Sequence, residues 1–278
     1  CEKTVEDSQS SEDILKEESK TIVITNKTFT DYFDGEGRLS DSVPEGSVLD
    51  FQGLFEVSDN IKGIYIGKSV NITSSTKNAV FMFNSTNGDL GKENLTGRFI
   101  VDGVSTINIE NVLFNRTQVL IYDSSNVILN NIKMTSSKYN IYENSTHGVA
   151  ASNNEGILRI CNVNNISIKN SYFYAYKIIS GLIECSDIGD IIIDNNTFHS
   201  YSDRYGTANS VGRKINLKTI ANTVKMTNNV AYANCSWAAF AFLQGKEILF
   251  ENNSCTYWGS ALISQAADGM WVQLGQKD

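Results

Sequence analysis

Four carboxylates that lie close together in the sequence are the residues whose type and spacing come nearest to catalytic chemistry. They are Glu184, Asp187, Asp190 and Asp194. Glycoside hydrolysis needs two carboxyl groups that face the sugar at the bond to be broken. Asp194, however, directly precedes Asn195 at a position that recurs along the chain, where other copies carry glutamate or threonine. A recurring position indicates a structural role, so the spacing alone does not define a catalytic pair.

Other patterns that could support catalysis or metal binding are incomplete. A polysaccharide lyase would need clustered acidic calcium ligands and a basic residue, and the nearest such set is Glu184, Asp187 and Arg213, with no motif behind it. The two histidines, His147 and His199, belong to no pattern that joins them to a nucleophile. The five cysteines contain no CxxC pair, so neither a metal cluster nor a cofactor is predicted.

A repeated eight-residue pattern, which first reads INIENVLF from Ile107, organises most of the chain. Its first, third and eighth residues are apolar, and such alternation is typical of a β-strand. The fifth residue of every copy is asparagine: Asn111, Asn131, Asn170, Asn195, Asn228 and Asn252. Because asparagine tolerates left-handed backbone, each copy is predicted to form a short strand, a sharp bend and the start of a second strand.

Copies spaced roughly 20 to 40 residues apart indicate stacked repeats that share one core. A further short strand precedes each copy, so each coil is predicted to contain about three strands. The sequence therefore predicts an all-β fold, a right-handed, single-stranded parallel β-helix (solenoid) over residues 21–278. We expect the six asparagines to stack, with their side-chain amides forming a ladder along the stack. The alternative is a β-sandwich with asparagine-rich hairpins, which the small number of Asn-Gly and Asp-Gly pairs disfavours.

Length and charge narrow the possible functions. The 278 residues suffice for one solenoid, and the single proline suits continuous backbone ladders. The net charge of −8 disfavours nucleic acid as a partner. No apolar run is long enough to span a membrane.

The first residues are predicted to form a flexible acidic linker, residues 1–20, that precedes the solenoid. A cysteine at position one followed by such a linker resembles a mature lipoprotein in which Cys1 carries a lipid. The alternative is that the sequence simply begins at this residue as a fragment. A lipid on Cys1 would hold the protein at a membrane surface without a spanning helix.

Outward residues after the bends contain several aromatic side chains. The apolar eighth residue of each copy points into the core, so its neighbours point outward. The resulting aromatic strip is predicted to contain Tyr174, Tyr176, His199, Tyr201, Tyr232 and Trp258. Exposed aromatic patches mark binding sites, and flat rings suit the faces of sugars. The alternative is that a flanking loop, such as 202–213, covers the strip as a secondary core.

Two further predictions concern cysteines and asparagines. Cys161 and Cys185 occupy nearly the same repeat position, so we expect two small core residues, with an inter-strand disulfide as the alternative. Ten N-x-S/T sequons are present, of which Asn144, in the polar insertion 139–155, is the best predicted acceptor for a glycan. Asn195 and Asn252 are also sequons, but we expect both to be buried in the ladder.

Three phrases carry a resemblance to a known group: GIYIGKSVNITSST, GRFIVDGVSTINIENVLF and IIIDNNTF. Across residues 42–258 the chain resembles the adhesin-like surface proteins of methanogenic archaea, within the pectate-lyase-like, right-handed parallel β-helix repeat superfamily. The resemblance implies an extracellular, surface-displayed solenoid that mediates adhesion. It supplies no catalytic motif to transfer to this chain.

These observations lead to one functional hypothesis and two alternatives. The hypothesis is a non-catalytic, adhesin-like protein attached to the cell surface, whose partner is a surface glycan or protein. Contact with a membrane is expected only through a lipid on Cys1. The alternatives are a carbohydrate-active enzyme of the same fold, either a polysaccharide lyase or a glycoside hydrolase, and a structural spacer within a larger surface protein.

Overall fold

A computed structural model describes residues 20–85, 96–135, 158–176, 182–201, 215–217, 219, 221–233, 241–256, 263–267 and 270–274. Within these ranges the chain forms 23 β-strands and one helical turn, α1 (Phe29–Tyr32). Cys1, nearly all of the predicted acidic linker and the insertions 139–155 and 202–213 lie outside the described residues.

The strands are short in the first repeats and lengthen in the middle of the chain. The first eight are β1 (Thr21–Ile24), β2 (Val48–Phe51), β3 (Leu54–Glu56), β4 (Ile64–Ile66), β5 (Asn71–Thr73), β6 (Val80–Met82), β7 (Arg98–Asp102) and β8 (Thr106–Glu110). The next eight are β9 (Leu113–Asn115), β10 (Gln118–Asn130), β11 (Lys133–Thr135), β12 (Leu158–Lys169), β13 (Tyr172–Tyr176), β14 (Ile183–Asp194), β15 (Thr197–Tyr201) and β16 (Ile215–Leu217). The last seven are β17 (Ala221–Thr227), β18 (Val230–Ala233), β19 (Ala241–Leu243), β20 (Gly245–Glu251), β21 (Ser254–Thr256), β22 (Ile263–Ala267) and β23 (Met270–Leu274).

Fifteen strands form the larger sheet, in which successive repeats lie side by side. The order is β1, β2, β5, β8, β10, β12, β14, β16, β19, β22 and β23. Four further strands pair outside this order: β4 pairs with β7, β7 also pairs with β10, and β17 pairs with β14 and β20. Among the named strands of the described chain, only β22 and β23 pair antiparallel. Parallel neighbours need long connections rather than two-residue hairpins, which contradicts the sandwich alternative.

The smaller sheet contains eight strands, all parallel, in the order β3, β6, β9, β11, β13, β15, β18 and β21. Each repeat contributes one strand to this sheet and extends the larger sheet as well. The protein is therefore all-β with stacked parallel sheets, as the repeat predicted.

The six bends predicted at asparagine have left-handed backbone. Their φ angles lie between 51° and 60° at Asn111, Asn131, Asn170, Asn195, Asn228 and Asn252. Five of these side chains are exposed and one is half-buried, so the expected burial of Asn195 and Asn252 is wrong. Two links of the predicted ladder are present: Asn131 Nδ2 donates to Asn111 Oδ1 at 2.7 Å, and Asn195 Nδ2 donates to Asn170 Oδ1 at 2.8 Å. Asn170 Nδ2 donates instead to Asn130, and Asn228 Nδ2 donates to Asp194. The bend amides therefore do not form a continuous ladder.

A second asparagine ladder, here called the buried ladder, lies one residue after the bend and consists of Asn196, Asn229 and Asn253. The first two side chains are buried and Asn253 is half-buried. Each side chain donates from Nδ2 to a main-chain carbonyl oxygen of the preceding repeat, at 2.7 to 2.9 Å. At one end of the ladder, Asn196 Oδ1 accepts from the main-chain N–H of Ser171 at 2.9 Å. Backbone groups that would be buried without partners are satisfied in this way.

A second corner divides the three longest strands. Asp123, Asn162 and Asp187 have φ between 48° and 56° and interrupt β10, β12 and β14 at equivalent places. Asn162 Nδ2 donates to Asp123 Oδ1 at 2.7 Å across this corner. The eight-residue pattern does not predict this corner, because it lies outside the pattern.

Aromatic rings fill the core of the first repeats, around Phe81. Its ring centroid lies 5.1 to 5.5 Å from those of Phe51, Phe55, Phe99 and Phe114. In later repeats Phe173 stacks on Phe198 with centroids 5.1 Å apart. The column of eighth residues therefore faces inward, which leaves the flanking residues of the smaller sheet pointing outward.

The two central cysteines do not share a core column. Cys161 pairs in register with Ser186, and Cys185 pairs with Ile160. This offset of one residue turns the two thiols to opposite faces of the sheet. Cys185 is buried and Cys161 is half-buried, so the core prediction is wrong for Cys161. Because the two side chains point to opposite faces, they cannot form the disulfide that was the alternative prediction.

Candidate functional site

The outer face of the smaller sheet carries the candidate site. Buried residues such as Met134, Phe173 and Phe198 alternate with residues that face away from the core. The residue after each buried one belongs to a continuous line across the strands. This line, here called the outer row, consists of Met82, Asn115, Thr135, Tyr174, His199 and Tyr232.

Three aromatic side chains of the outer row contact one another. The ring centroid of His199 lies 5.2 Å from that of Tyr174, with an angle of 87° between the planes. On the next strand it lies 5.9 Å from the ring of Tyr232, at 63°. Both are edge-to-face contacts, a favourable arrangement for aromatic pairs. Tyr232 is 45% exposed, and the other two are half-buried. We call Tyr174, His199 and Tyr232 the aromatic triplet.

The other half of the outer row is polar. The hydroxyl of Thr135 donates to Asn115 Oδ1 at 3.1 Å. Asn115 Nδ2 in turn contacts Met82 Sδ at 3.5 Å, and a thioether sulfur is a weak acceptor. The amide of Asn115 therefore retains capacity to donate to another partner.

A second outward row lies on the other side of the buried column. It contains Leu113, Lys133, Tyr172, Thr197 and Val230. Tyr172 is half-buried and lies on the same face as Tyr174, two residues away. Tyr172 is absent from the predicted strip because that strip contains only positions after the apolar eighth residue. Period-two alternation was the signal that would have found it.

The remaining predicted strip residues divide into two cases. Tyr176 and Tyr201 end β13 and β15, where their backbones pair in register. Trp258 lies outside the described residues. Thr117, two residues after Asn115 of the outer row, is buried, and its hydroxyl donates to a main-chain carbonyl at 2.9 Å. Arg116, with φ of 53°, turns the chain just before Thr117 and so reverses the alternation.

Exposure also revises the predicted acceptors for glycans. Asn195 and Asn252 are exposed at their bends, so burial is no reason to discount them. Asn144 lies outside the described residues. Asn115, another sequon, belongs to the outer row.

The candidate carboxylates do not converge on one surface. Glu184 is 1% exposed and lies in the first half of β14. Asp190 and Asp194 lie in the second half, beyond the bend at Asp187. Asp190 accepts hydrogen bonds from the main-chain N–H and the hydroxyl of Thr223 on the neighbouring strand.

Asp194 is an acceptor in the same kind of cross-strand contact. Thr227 donates to it at 2.7 Å and Asn228 at 2.8 Å, and these hydrogen bonds lower the pKa of Asp194. A general acid for glycoside hydrolysis needs a raised pKa instead. Arg213 and His147 lie outside the described residues. No group of three His, Cys, Asp or Glu side chains able to hold a metal ion is found in the part of the chain that the structure covers.

A groove of about 550 Å³ lies at the start of the stack, beside β3. Its lining includes Asn26, Lys27, Leu54 and Glu56. Glu56 is the one carboxylate in this lining, so the groove lacks the pair that glycoside hydrolysis requires.

The described helical residues amount to the single turn α1, and none of them forms a segment that could cross a membrane. No protein-family model matches this chain, and neither does any curated protein or solved structure.

Proposed function

We propose that the chain folds as a right-handed parallel β-helix and acts as a non-catalytic, adhesin-like protein of the cell surface that binds a glycan at the outer row. The fold proposal is supported by parallel pairing between successive repeats and by left-handed bends at two corners. Rows of side chains on such a stack bring several repeats into contact with one ligand.

The aromatic triplet is the observation that carries the binding proposal. Tyr174, His199 and Tyr232 occupy three consecutive strands and contact one another in a line. Aromatic rings present a flat apolar surface together with a polar edge, which suits a sugar that has one apolar face and a rim of hydroxyls. The amide of Asn115 and the hydroxyl of Thr135 extend the same line with hydrogen-bonding groups.

The non-catalytic part of the proposal is supported by the placement of the carboxylates. Glu184 is buried, while Asp190 and Asp194 are held by threonine hydroxyls on the larger sheet. None of these three side chains belongs to the outer row, so a glycan bound there would meet none of them.

A glycan array that compares the native protein with Tyr174→Ala and Tyr232→Ala tests this function. Ile128→Ala is a matched control, because Ile128 on the larger sheet is 43% exposed and Tyr232 is 45% exposed. We expect binding to be about tenfold weaker in both tyrosine variants and unchanged in the control. The proposal fails if no glycan is retained, or if the control loses binding equally. Release of products from a retained glycan, with or without calcium, would overturn its non-catalytic part.

A further inference from the structure

We infer that the ligand of the outer row is a neutral, linear glycan that lies along the direction in which the strands stack, spanning from Asn115 to Tyr232. This inference rests on the proposed function and narrows it in three respects: the charge, the shape and the length of the ligand.

The charge follows from the side chains of the outer row. Between Met82 and Tyr232 the row contains one thioether, one amide, one hydroxyl, two phenols and one imidazole, and it has neither a lysine nor an arginine. Glu56, at the equivalent position on the strand beyond Met82, is acidic. Lys133 is the one basic side chain among the described residues of the second outward row. Recognition of a chain of uronic acids or sulfated sugars across five strands needs several basic side chains. The net charge of −8 on the chain also repels polyanions.

The shape follows from the spacing of the strands. Parallel strands lie about 4.8 Å apart, so the row presents one side chain per step of that size. The ring centroids of the aromatic triplet are 5.2 and 5.9 Å apart. An extended β-1,4-linked chain of hexoses advances by a similar distance for each sugar. One sugar per strand is therefore the natural register between this row and such a polymer.

The length follows from the number of strands that contribute. Asn115 and Tyr232 are separated by four strand steps, or about 19 Å at about 4.8 Å per step. About four or five sugars fill that distance. A shorter oligomer that lies on the aromatic triplet does not reach Asn115 and Thr135.

The chemistry along the row changes at Thr135. The aromatic half offers ring faces and edges, whereas Asn115 offers an amide hydrogen that is otherwise directed only to the sulfur of Met82. The hydroxyl of Thr135 donates to Asn115 and keeps its own lone pairs for accepting. Sugar hydroxyls both donate and accept hydrogen bonds. A polymer that spans the outer row can therefore pack on the aromatic triplet and form hydrogen bonds with Asn115 and Thr135.

Isothermal titration calorimetry with oligomers of defined length tests the inference. The probes are β-1,4-linked oligomers of glucose, mannose, xylose and N-acetylglucosamine, from one to six sugars, with oligogalacturonides of the same lengths as the anionic counterpart. We expect a neutral series to bind, with affinity that rises about tenfold or more from disaccharide to pentasaccharide and then levels off. Asn115→Ala and Thr135→Ala should weaken the pentasaccharide and leave the disaccharide unchanged, whereas Asn126→Ala on the larger sheet should change neither.

The outcomes separate this inference from the function on which it rests. A monosaccharide that binds as tightly as the hexasaccharide would overturn the inference that the ligand is a linear glycan. It would leave glycan binding by the protein intact. Binding of oligogalacturonides alone would overturn neutrality. Unchanged pentasaccharide binding in Asn115→Ala and Thr135→Ala would overturn the assigned span. No binding in either series would overturn the inference, and retention of a different glycan on the array would still leave the proposed function in place.

Discussion

Asn196 and Asn229 are joined by two hydrogen bonds across adjacent repeats. Asn229 Oδ1 accepts from the main-chain N–H of Asn196 at 2.9 Å and from its Nδ2 at 3.0 Å. Both side chains are buried immediately after a bend. The contact fixes where β15 begins relative to β18 on the smaller sheet. The alignment of the outer row depends on that position.

Replacement of Asn229 should strongly destabilise the stack. Asn229→Ala leaves the carbonyl of Ile193 and the N–H of Asn196 buried without their partner. We expect the free energy of unfolding to fall by about 3 kcal/mol, measured by equilibrium unfolding in urea. The control is Asn228→Gly at the exposed bend, where φ is 57°. Glycine adopts this conformation readily, so the control should lose less than about 1 kcal/mol. Equal losses in both variants would contradict a special role for the buried ladder.

Acid should destabilise the first repeats through Asp50. Burial raises the pKa of this carboxyl, but hydrogen bonds from the N–H and hydroxyl of Ser75 and from Gln52 outweigh this effect, and the pKa lies below its ordinary value. A carboxyl group with a lowered pKa in the folded state stabilises the fold above the unfolded pKa, and this stabilisation is lost as the pH falls through the folded value.

Asp50→Asn should therefore lower the free energy of unfolding at pH 7 by about 2 kcal/mol. The variant should also lose less stability than the native protein between pH 5 and pH 3. Unfolding in urea at the three pH values measures both effects. Identical pH dependence in the two proteins would rule out Asp50 as a source of acid sensitivity.

The two central thiols should react at different rates. Burial, reinforced by the nearby charges of Glu184 and Cys161, raises the pKa of Cys185 well above its usual range. Cys161 lies half-buried on the outer side of the sheet. Because the thiolate is the reactive form, iodoacetamide should modify Cys161 first in the native protein, and peptide mass spectrometry should show this. A disulfide between the two residues after mild oxidation would contradict the offset register.

The ring of Tyr174, rather than its hydroxyl, should dominate glycan binding. We expect Tyr174→Phe to bind almost as well as the native protein, whereas Tyr174→Ala should bind about tenfold more weakly. Titration with whichever glycan the array retains measures both values. Circular dichroism of each variant should show an unchanged β spectrum. Equal weakening of glycan binding in Tyr174→Phe and Tyr174→Ala would show that the phenol oxygen, rather than the ring, recognises the glycan.

The repeat predicted the bends and the outer row because both depend on fixed spacing from one asparagine. Asn111 and its equivalents need left-handed backbone, and few residue types other than glycine tolerate it. Once the bend is fixed, period-two alternation places Tyr174, His199 and Tyr232 on one face.

The buried ladder escaped prediction because its column is not uniform in sequence. The positions equivalent to Asn196 are occupied by Val112, Ile132 and Ser171 in earlier repeats. A hydrogen-bonded column that begins only in the later repeats has no signature along the whole chain.

The error at Cys161 has a different cause. Aligning Cys161 with Cys185 overlooked the left-handed corner at Asn162 and Asp187, which sets the true register. A slip of one residue in a strand exchanges its two faces. The misalignment therefore predicted a core position for Cys161, whose thiol lies on the outer face of the sheet.

A crystal structure of the protein with a bound neutral pentasaccharide tests the central claim most directly. The account predicts sugar rings packed against Tyr174 and Tyr232, with the chain crossing the strands from β18 towards β9. Sugar bound instead in the groove beside Asn26 and Lys27, or at the larger sheet near Asp190, would contradict it.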